Sequence, residues 1–348
     1  MAKKQTKKLA FYRKKLFLWT TGSVVVLAIG VLLAFRLSPW PGAMVVRQVF
    51  ERGGHKTLVG LQQSIPAQPV TVLADQHYGK DNKEYLDVYI PQSVADTDQT
   101  LPVVIWTHGG AWLSGDKAGA APYYNLLADQ GFVVVSLNYS LAPEKTYPTP
   151  LNQLNAAHAY IQANAERFHV NTDKIVFAGD SAGSQISSQM AAMITNPDYA
   201  KEVGVEPTLK PAQLSGVVLF CGIYKMEGLT HPDPALPKIV SWGSDISVWA
   251  YTGTRDKNSP LVRQASTYYH VTKDFPATFI SGGNGDSLTN EQSVPFADEL
   301  QSLNVPVTTL FYAADHVPSL PHEYQFTYND DGKEAFAGMT TFIKARTQ

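Results

Sequence analysis

Ile175-Val176-Phe177-Ala178 runs without a break into Gly179-Asp180-Ser181-Ala182-Gly183, after which a helical pattern begins. A strand, a Gly-x-Ser-x-Gly turn and a helix in direct succession constrain the chain more than any other feature. A serine on so tight a turn clears its neighbours only if the positions two residues away lack side chains. The helix that follows aims its first amides at any negative charge developing beside the serine.

The surrounding sequence repeats that strand–helix alternation. Apolar β-rich runs are expected at residues 70–73, 86–90, 103–107, 132–137, 175–178, 217–220, 277–281 and 307–312, with helices at 119–130, 150–167, 182–195, 289–303 and 333–345. The later runs are continuously apolar, as in strands of a parallel sheet covered on both faces. The first two, joined through Gly79 and Asp81-Asn82, read as a hairpin at the sheet edge. One connection, residues 222–275, is too long for a simple crossover. It carries Pro232, Pro234 and Pro237 and then Trp242, Trp249 and Tyr251, and is expected to be a cap insertion over the site. The folded catalytic domain is expected over residues 70–348.

A serine hydroxyl is a poor nucleophile at neutral pH and needs a base, itself oriented by an acid. In a strand-turn-helix architecture of this type the acid and the histidine follow later strands, in that order. The loop Gly282-Gly283-Asn284-Gly285-Asp286 supplies Asp286, and Ala313-Ala314-Asp315-His316 supplies His316. Asp315 and Asp256 are rivals for the acid and His322 for the base. Asp315 adjoins His316 in sequence and Asp256 precedes its strand, so Asp286 and His316 are the expected pair. Earlier, His108-Gly109-Gly110-Ala111-Trp112 follows a strand candidate. The amides of Gly109 and Gly110, with that of Ala182, are expected to form an oxyanion hole. Trp112, Tyr139, Trp242, Trp249 and Tyr251 are candidate pocket walls, of which Trp112 and Tyr139 are the expected substrate-binding pair. Asp180 is expected to hydrogen-bond structurally, and His108 to brace the glycine loop. The histidines show no metal-ligand spacing, and the single cysteine, Cys221, excludes an intramolecular disulfide.

The formal net charge of −2 conceals a split. Residues 1–35 hold seven of the 28 Lys and Arg side chains and no acid, so the remaining chain sets 21 bases against 30 acids. An acidic body argues against nucleic acid as a partner. The basic residues 1–15 precede twenty uncharged residues, 16–35, enough to cross about 30 Å of hydrocarbon. This predicts a membrane anchor with a cytoplasmic N-terminus and an extracytoplasmic body, a cleaved signal peptide being the alternative. Residues 36–69 are expected to be a stalk or an N-terminal cap segment.

Taken together, His108-Gly109-Gly110, Asn138-Tyr139-Ser140-Leu141-Ala142-Pro143-Glu144, Gly179 to Gly183, the Gly-x-x-Asp-x-Leu of Gly283 to Leu288, and His316 resemble the α/β-hydrolase superfamily. Within it they are most similar to the hormone-sensitive-lipase-like esterases, over roughly residues 85 to 345. The resemblance implies an α/β-hydrolase fold, with a mostly parallel eight-stranded sheet flanked by helices and a cap insertion. It implies a serine carboxylesterase that needs no cofactor and takes a small-molecule ester with a short-chain or aromatic acyl group. Ala111-Trp112 stands where the family often has a third glycine, a form also seen in related esterases and in arylformamidases. An amide or formamide hydrolase is therefore the alternative enzyme, and a non-catalytic binding protein of the same fold the alternative outside catalysis.

Overall fold

The computed structural model describes residues 2–230 and 237–348; His231, and Pro232 and Pro234 of the insertion, lie outside the described residues. Eight strands form one sheet: β1 (Val70–His77), β2 (Tyr85–Pro91), β3 (Leu101–Thr107), β4 (Val133–Leu137), β5 (Val170–Asp180), β6 (Leu214–Phe220), β7 (Thr278–Gly282) and β8 (Val307–Phe311). Their order is β1-β2-β4-β3-β5-β6-β7-β8. β1 pairs with β2, and β2 with β4, in antiparallel sense; every other pairing is parallel. All eight expected strands are present, and the first two form the edge hairpin.

The unbroken apolar runs arise because both faces are covered. Val103, Ile105, Val217 and Leu219 point into one core, and Val104, Trp106, Val218 and Phe220 into the other. The longer helices are α1 (Ala2–Leu37), α2 (Trp40–Ser64), α3 (Ala121–Ala128), α4 (Thr149–Ala163), α5 (Ala182–Thr195), α6 (Lys238–Thr252), α7 (Val294–Ser302) and α8 (Asp330–Thr347). α4 and α5 bury Leu151, Leu154, Ile186 and Met190 in the first core, while α3 and α8 bury Leu127, Met339 and Ile343 in the second.

β3 leads outward to β4 on one side, whereas β5 is its neighbour on the other, so the winding reverses between β3 and β5. At such a switch point the loops leaving the carboxyl ends diverge and open a crevice. Those two loops carry His108 and Ser181.

Residues 36–69 are mostly helical, and α2 lies on the domain with Ala43, Val46 and Leu61 buried. Its Arg47 adds a polar fastening. The guanidinium donates to Leu113 O at 2.6 Å, to Ala142 O at 2.7 Å and to both carboxylate oxygens of Glu144 at 2.7 and 2.6 Å. α6, from the insertion, packs across α2 so closely that a Cβ on Gly42 would stand 2.9 Å from Ile246.

Candidate active site

Ser181 occupies the elbow between β5 and α5 with φ +49° and ψ −120°, a conformation that favours glycine. The strain is held by packing around it. Its amide donates to Phe220 O at 2.8 Å, and Ser184 Oγ donates to Gly179 O at 2.7 Å. A Cβ on Gly183 would lie 2.0 Å from Thr107 O, so only glycine lets the first turn of α5 meet the end of β3.

Ser181 Oγ lies 2.9 Å from His322 Nε2, and His322 Nδ1 lies 2.7 Å from Asp286 Oδ2. The second oxygen of Asp286 accepts from Leu288 N at 3.0 Å, which fixes the carboxylate on its turn. Ser181 and Asp286 are thus brought together as the sequence suggested, but the imidazole between them is His322.

His316 is elsewhere. Its Nε2 pairs with Asp331 Oδ1 at 2.9 Å, in the first turn of α8, and its ring lies on Tyr312. The cause is distance. From β8 to β5 the chain must cross three strand spacings, about 14 Å. The peptide turns back immediately after β8, with His316 N donating to Ala313 O. The crossing is made later, where residues 319–322 run along the Asp286 loop: Leu320 N donates to Asn284 Oδ1 and Gly285 N to Leu320 O, both at 2.8 Å. His322 ends that crossing. Of the other rivals, Asp315 is exposed, and Asp256 accepts from Asn258 N in a surface turn of the insertion.

The loop after β3 also differs in detail from expectation. Gly109 N donates to Asp180 Oδ2 at 2.8 Å, so this amide is engaged in holding the loop rather than free. The amides of Gly110, Ala111 and Ala182 make no hydrogen bond to the described residues. Gly110, Ala111 and Trp112 have φ of +103°, +54° and +60°, three successive left-handed residues that turn the strand end inward. At Gly110 a Cβ would stand 2.3 Å from Ser114 O. Tyr139 and Trp112 brace this loop instead of standing open as pocket walls. Tyr139 stacks on His108 and donates to His108 O, whereas Trp112 stacks on Tyr251 and donates to Gln185 Oε1; both are buried.

Charges around the imidazole are mostly acidic. Burial disfavours the His322 cation, but the charge and hydrogen bond of Asp286, followed by Glu323 and Asp180, outweigh it and push His322 up to about 9. Burial, then the adjoining Glu323 carboxylate, pushes Asp180 above the usual carboxylate range, although Trp106 Nε1 and Gly109 N both donate to it. Buried His108 is lowered and stays a neutral brace, its Nδ1 on Gly109 O. Cys221, Asp286 and His322 place potential metal-ligand atoms within 4.8 Å of one another. Two of those groups already face each other in a hydrogen bond, and burial raises the Cys221 thiol and keeps it protonated. The trio fits a hydrogen-bonded dyad over a small buried side chain better than a metal site.

Residues 86–300 match the BD-FAE family. Two relatives from Mycobacterium tuberculosis are each 29% identical: probable carboxylic ester hydrolase LipM over 234 residues, and Esterase LipC over 230. Each alignment covers 65% of this chain, but only 50% and 54% of those proteins, so the chain spans about half their length. Among solved structures, Esterase B from Lactobacillus rhamnosis superposes with a TM-score of 0.76 at 19% identity, covering 89% of this chain and 96% of that one. An esterase from Pyrobaculum calidifontis gives 0.66 at 22% identity over 87% and 92%. The eight-stranded sheet is therefore an α/β-hydrolase sheet, and with more than half of its length matched, the chain belongs to the BD-FAE family.

Proposed function

We propose that the chain is a carboxylic ester hydrolase acting on short-chain or aromatic acyl esters, with Ser181 as nucleophile, His322 as general base and acid, and Asp286 as the group that orients it. One observation carries the reading: the continuous contact from Ser181 Oγ through the His322 ring to Asp286. Ser181 attacks the ester carbonyl as its proton passes to His322 Nε2, and Asp286 stabilises the imidazolium. The oxyanion faces the amides of Gly110 and Ala182, with Ala111 in place of the already engaged Gly109. His322 returns the proton to the departing alkoxide; water, deprotonated by the same nitrogen, then attacks the acyl-Ser181, and His322 gives that proton back to Ser181 Oγ as the acid leaves. The names of the mycobacterial relatives support the same reaction class.

No residue of the stretch Phe11–Leu37 of α1 is buried, and all of them except Phe35 at its foot are exposed. With Arg13, Lys14 and Lys15 at its start, it supports an anchor whose N-terminus is cytoplasmic and whose domain lies on the far side.

The direct test is turnover of p-nitrophenyl butyrate by the full chain in detergent, beside Ser181→Ala and beside a matched p-nitroanilide. Ester turnover that Ser181→Ala abolishes supports the proposal. Faster cleavage of the anilide would assign an amidase instead, and no turnover or serine-dependent labelling would assign a binding protein.

A further inference from the structure

The foot of α1 is fastened to the insertion. Phe35 lies against Trp242 of α6, with ring centroids 6.5 Å apart, and Arg255, just beyond α6, donates to Arg36 O at 3.0 Å. Around this junction the domain leaves apolar side chains uncovered. Trp40, Met44, Val45 and Val49 are exposed on the first turns of α2, and Ile239 and Val240 on the first turn of α6, with Val49 65% and Ile239 68% accessible. Farther along α2 the exposed positions change character to Glu51, Arg52, His55 and Lys56. Exposed large apolar side chains thus crowd residues 40–50 of α2, with Val49 the most accessible, and charge takes over beyond them, where Val59 is the one large apolar side chain still exposed. Trp19 stands about 27 Å of helical rise before the end of α1 at Leu37, close to the thickness of a hydrocarbon core, and Trp40 follows just past the break, so an aromatic residue lies near each boundary.

We propose that this face, the start of α2 together with the start of α6, is seated in the headgroup layer of the bilayer that α1 spans. The domain then lies flush on the membrane and does not stand off on a tether. The inference rests on the anchor reading above. Its occupant is lipid because the face continues directly from the uncovered surface of α1, and because Arg36 and Lys238 flank it where anionic headgroups would meet them. α6 runs from that face to Tyr251, which stacks on Trp112 behind the loop of Gly110 and Ala111. The bilayer and the site are thereby joined through one rigid helix.

The test uses the full chain in vesicles of phosphatidylcholine with phosphatidylglycerol, with an environment-sensitive fluorophore on single cysteines replacing Val45, Val49 or Ile239. The native Cys221 is buried and does not compete for label. Leu27→Cys reports on the middle of the span and Asp173→Cys on a remote exposed site. The proposal predicts blue-shifted emission at positions 45, 49 and 239. It also predicts several-fold stronger quenching there than at 173 by doxyl lipid labelled near the headgroup, and weaker quenching by lipid labelled at the chain end. If these three match position 173 while position 27 is quenched by the chain-end label, the anchor stands and the proposal fails. If position 27 is also unquenched, the anchor reading itself fails and takes this one with it. Blue-shifted but unquenched probes would mean that a second copy of the chain covers the face, which also overturns the proposal.

Discussion

The charge environment of His322 predicts an activity profile displaced toward alkaline pH. Raising the imidazole from 6.5 to about 9 makes its cation, faced by Asp286, more stable by about 3 kcal/mol than in water. Only the neutral ring can take the Ser181 proton. At pH 7 that form amounts to about 1% of the free enzyme, so kcat/KM should climb roughly tenfold per pH step and level off only above about pH 9. The stabilisation runs the opposite way. A raised folded-state value contributes stability that is fully present below about 6.5 and is lost as pH rises through about 9. Asp286→Asn removes the largest favourable influence and leaves burial, which disfavours the cation, opposed only by Glu323 and Asp180, so the limb should move down towards 6.5. The plateau should fall by about a thousandfold or more because the ring loses its orientation. The assay is kcat/KM on p-nitrophenyl acetate from about pH 5.5 to 10, with buffer hydrolysis subtracted. A wild-type limb centred at or below 6.5, or one unmoved in Asp286→Asn, would refute the reasoning.

Other substitutions test the supports of the site. Gly183→Ala puts a methyl group 2.0 Å from Thr107 O, and moving that backbone should cost about 1–3 kcal/mol in urea unfolding. It should also displace the oxyanion donors, lowering kcat on the order of a hundredfold. Arg47→Met strips four hydrogen bonds between α2 and the loops after β3 and β4, leaving the Leu113 and Ala142 carbonyls without this donor. It should destabilise the protein by about 2 kcal/mol, seen as a lower Tm and as proteolysis within residues 40–64 ahead of the domain. His316→Gln weakens a partly buried pairing with Asp331 far from Ser181, so stability should change by about 1 kcal/mol and ester turnover should stay within about twofold.

Much of the architecture was legible because it depends on local pattern. Runs such as Val103 to Trp106 and Val217 to Phe220 are apolar at every position, and alternate side chains do enter separate cores. Ser181 was legible because Gly179 and Gly183 are demanded by the turn itself. Asp286 was legible because a loop leaving β7 with one acid leaves little choice. The histidine was not, because His316 and His322 both follow β8 and sequence order does not separate them. The choice is made by pairing between Asn284, Gly285 and Leu320, a contact between distant segments. The count of strands narrows the choice without making it: the five residues from Phe311 to His316 span about 17 Å when fully extended, enough for the crossing, and the turn at Ala313 takes that reach away. The engaged amide of Gly109 was hidden for a similar reason. Asp180 was read as a structural hydrogen-bonder, but its partner comes from 71 residues earlier. α2 escaped because Ala43, Val46 and Leu61 make a sparse apolar stripe, and part of its attachment comes from one arginine.

The central claim is that Ser181 is activated by His322, and covalent labelling tests it most directly. The full chain is treated with a fluorescent alkyl phosphonate and the modified peptide located by mass spectrometry, for the native sequence, His322→Gln and His316→Gln. The account predicts one phosphonate per chain on Ser181, fast in the native protein and in His316→Gln and nearly absent in His322→Gln. Rapid labelling of His322→Gln with loss in His316→Gln, or an adduct on any other serine, would contradict it.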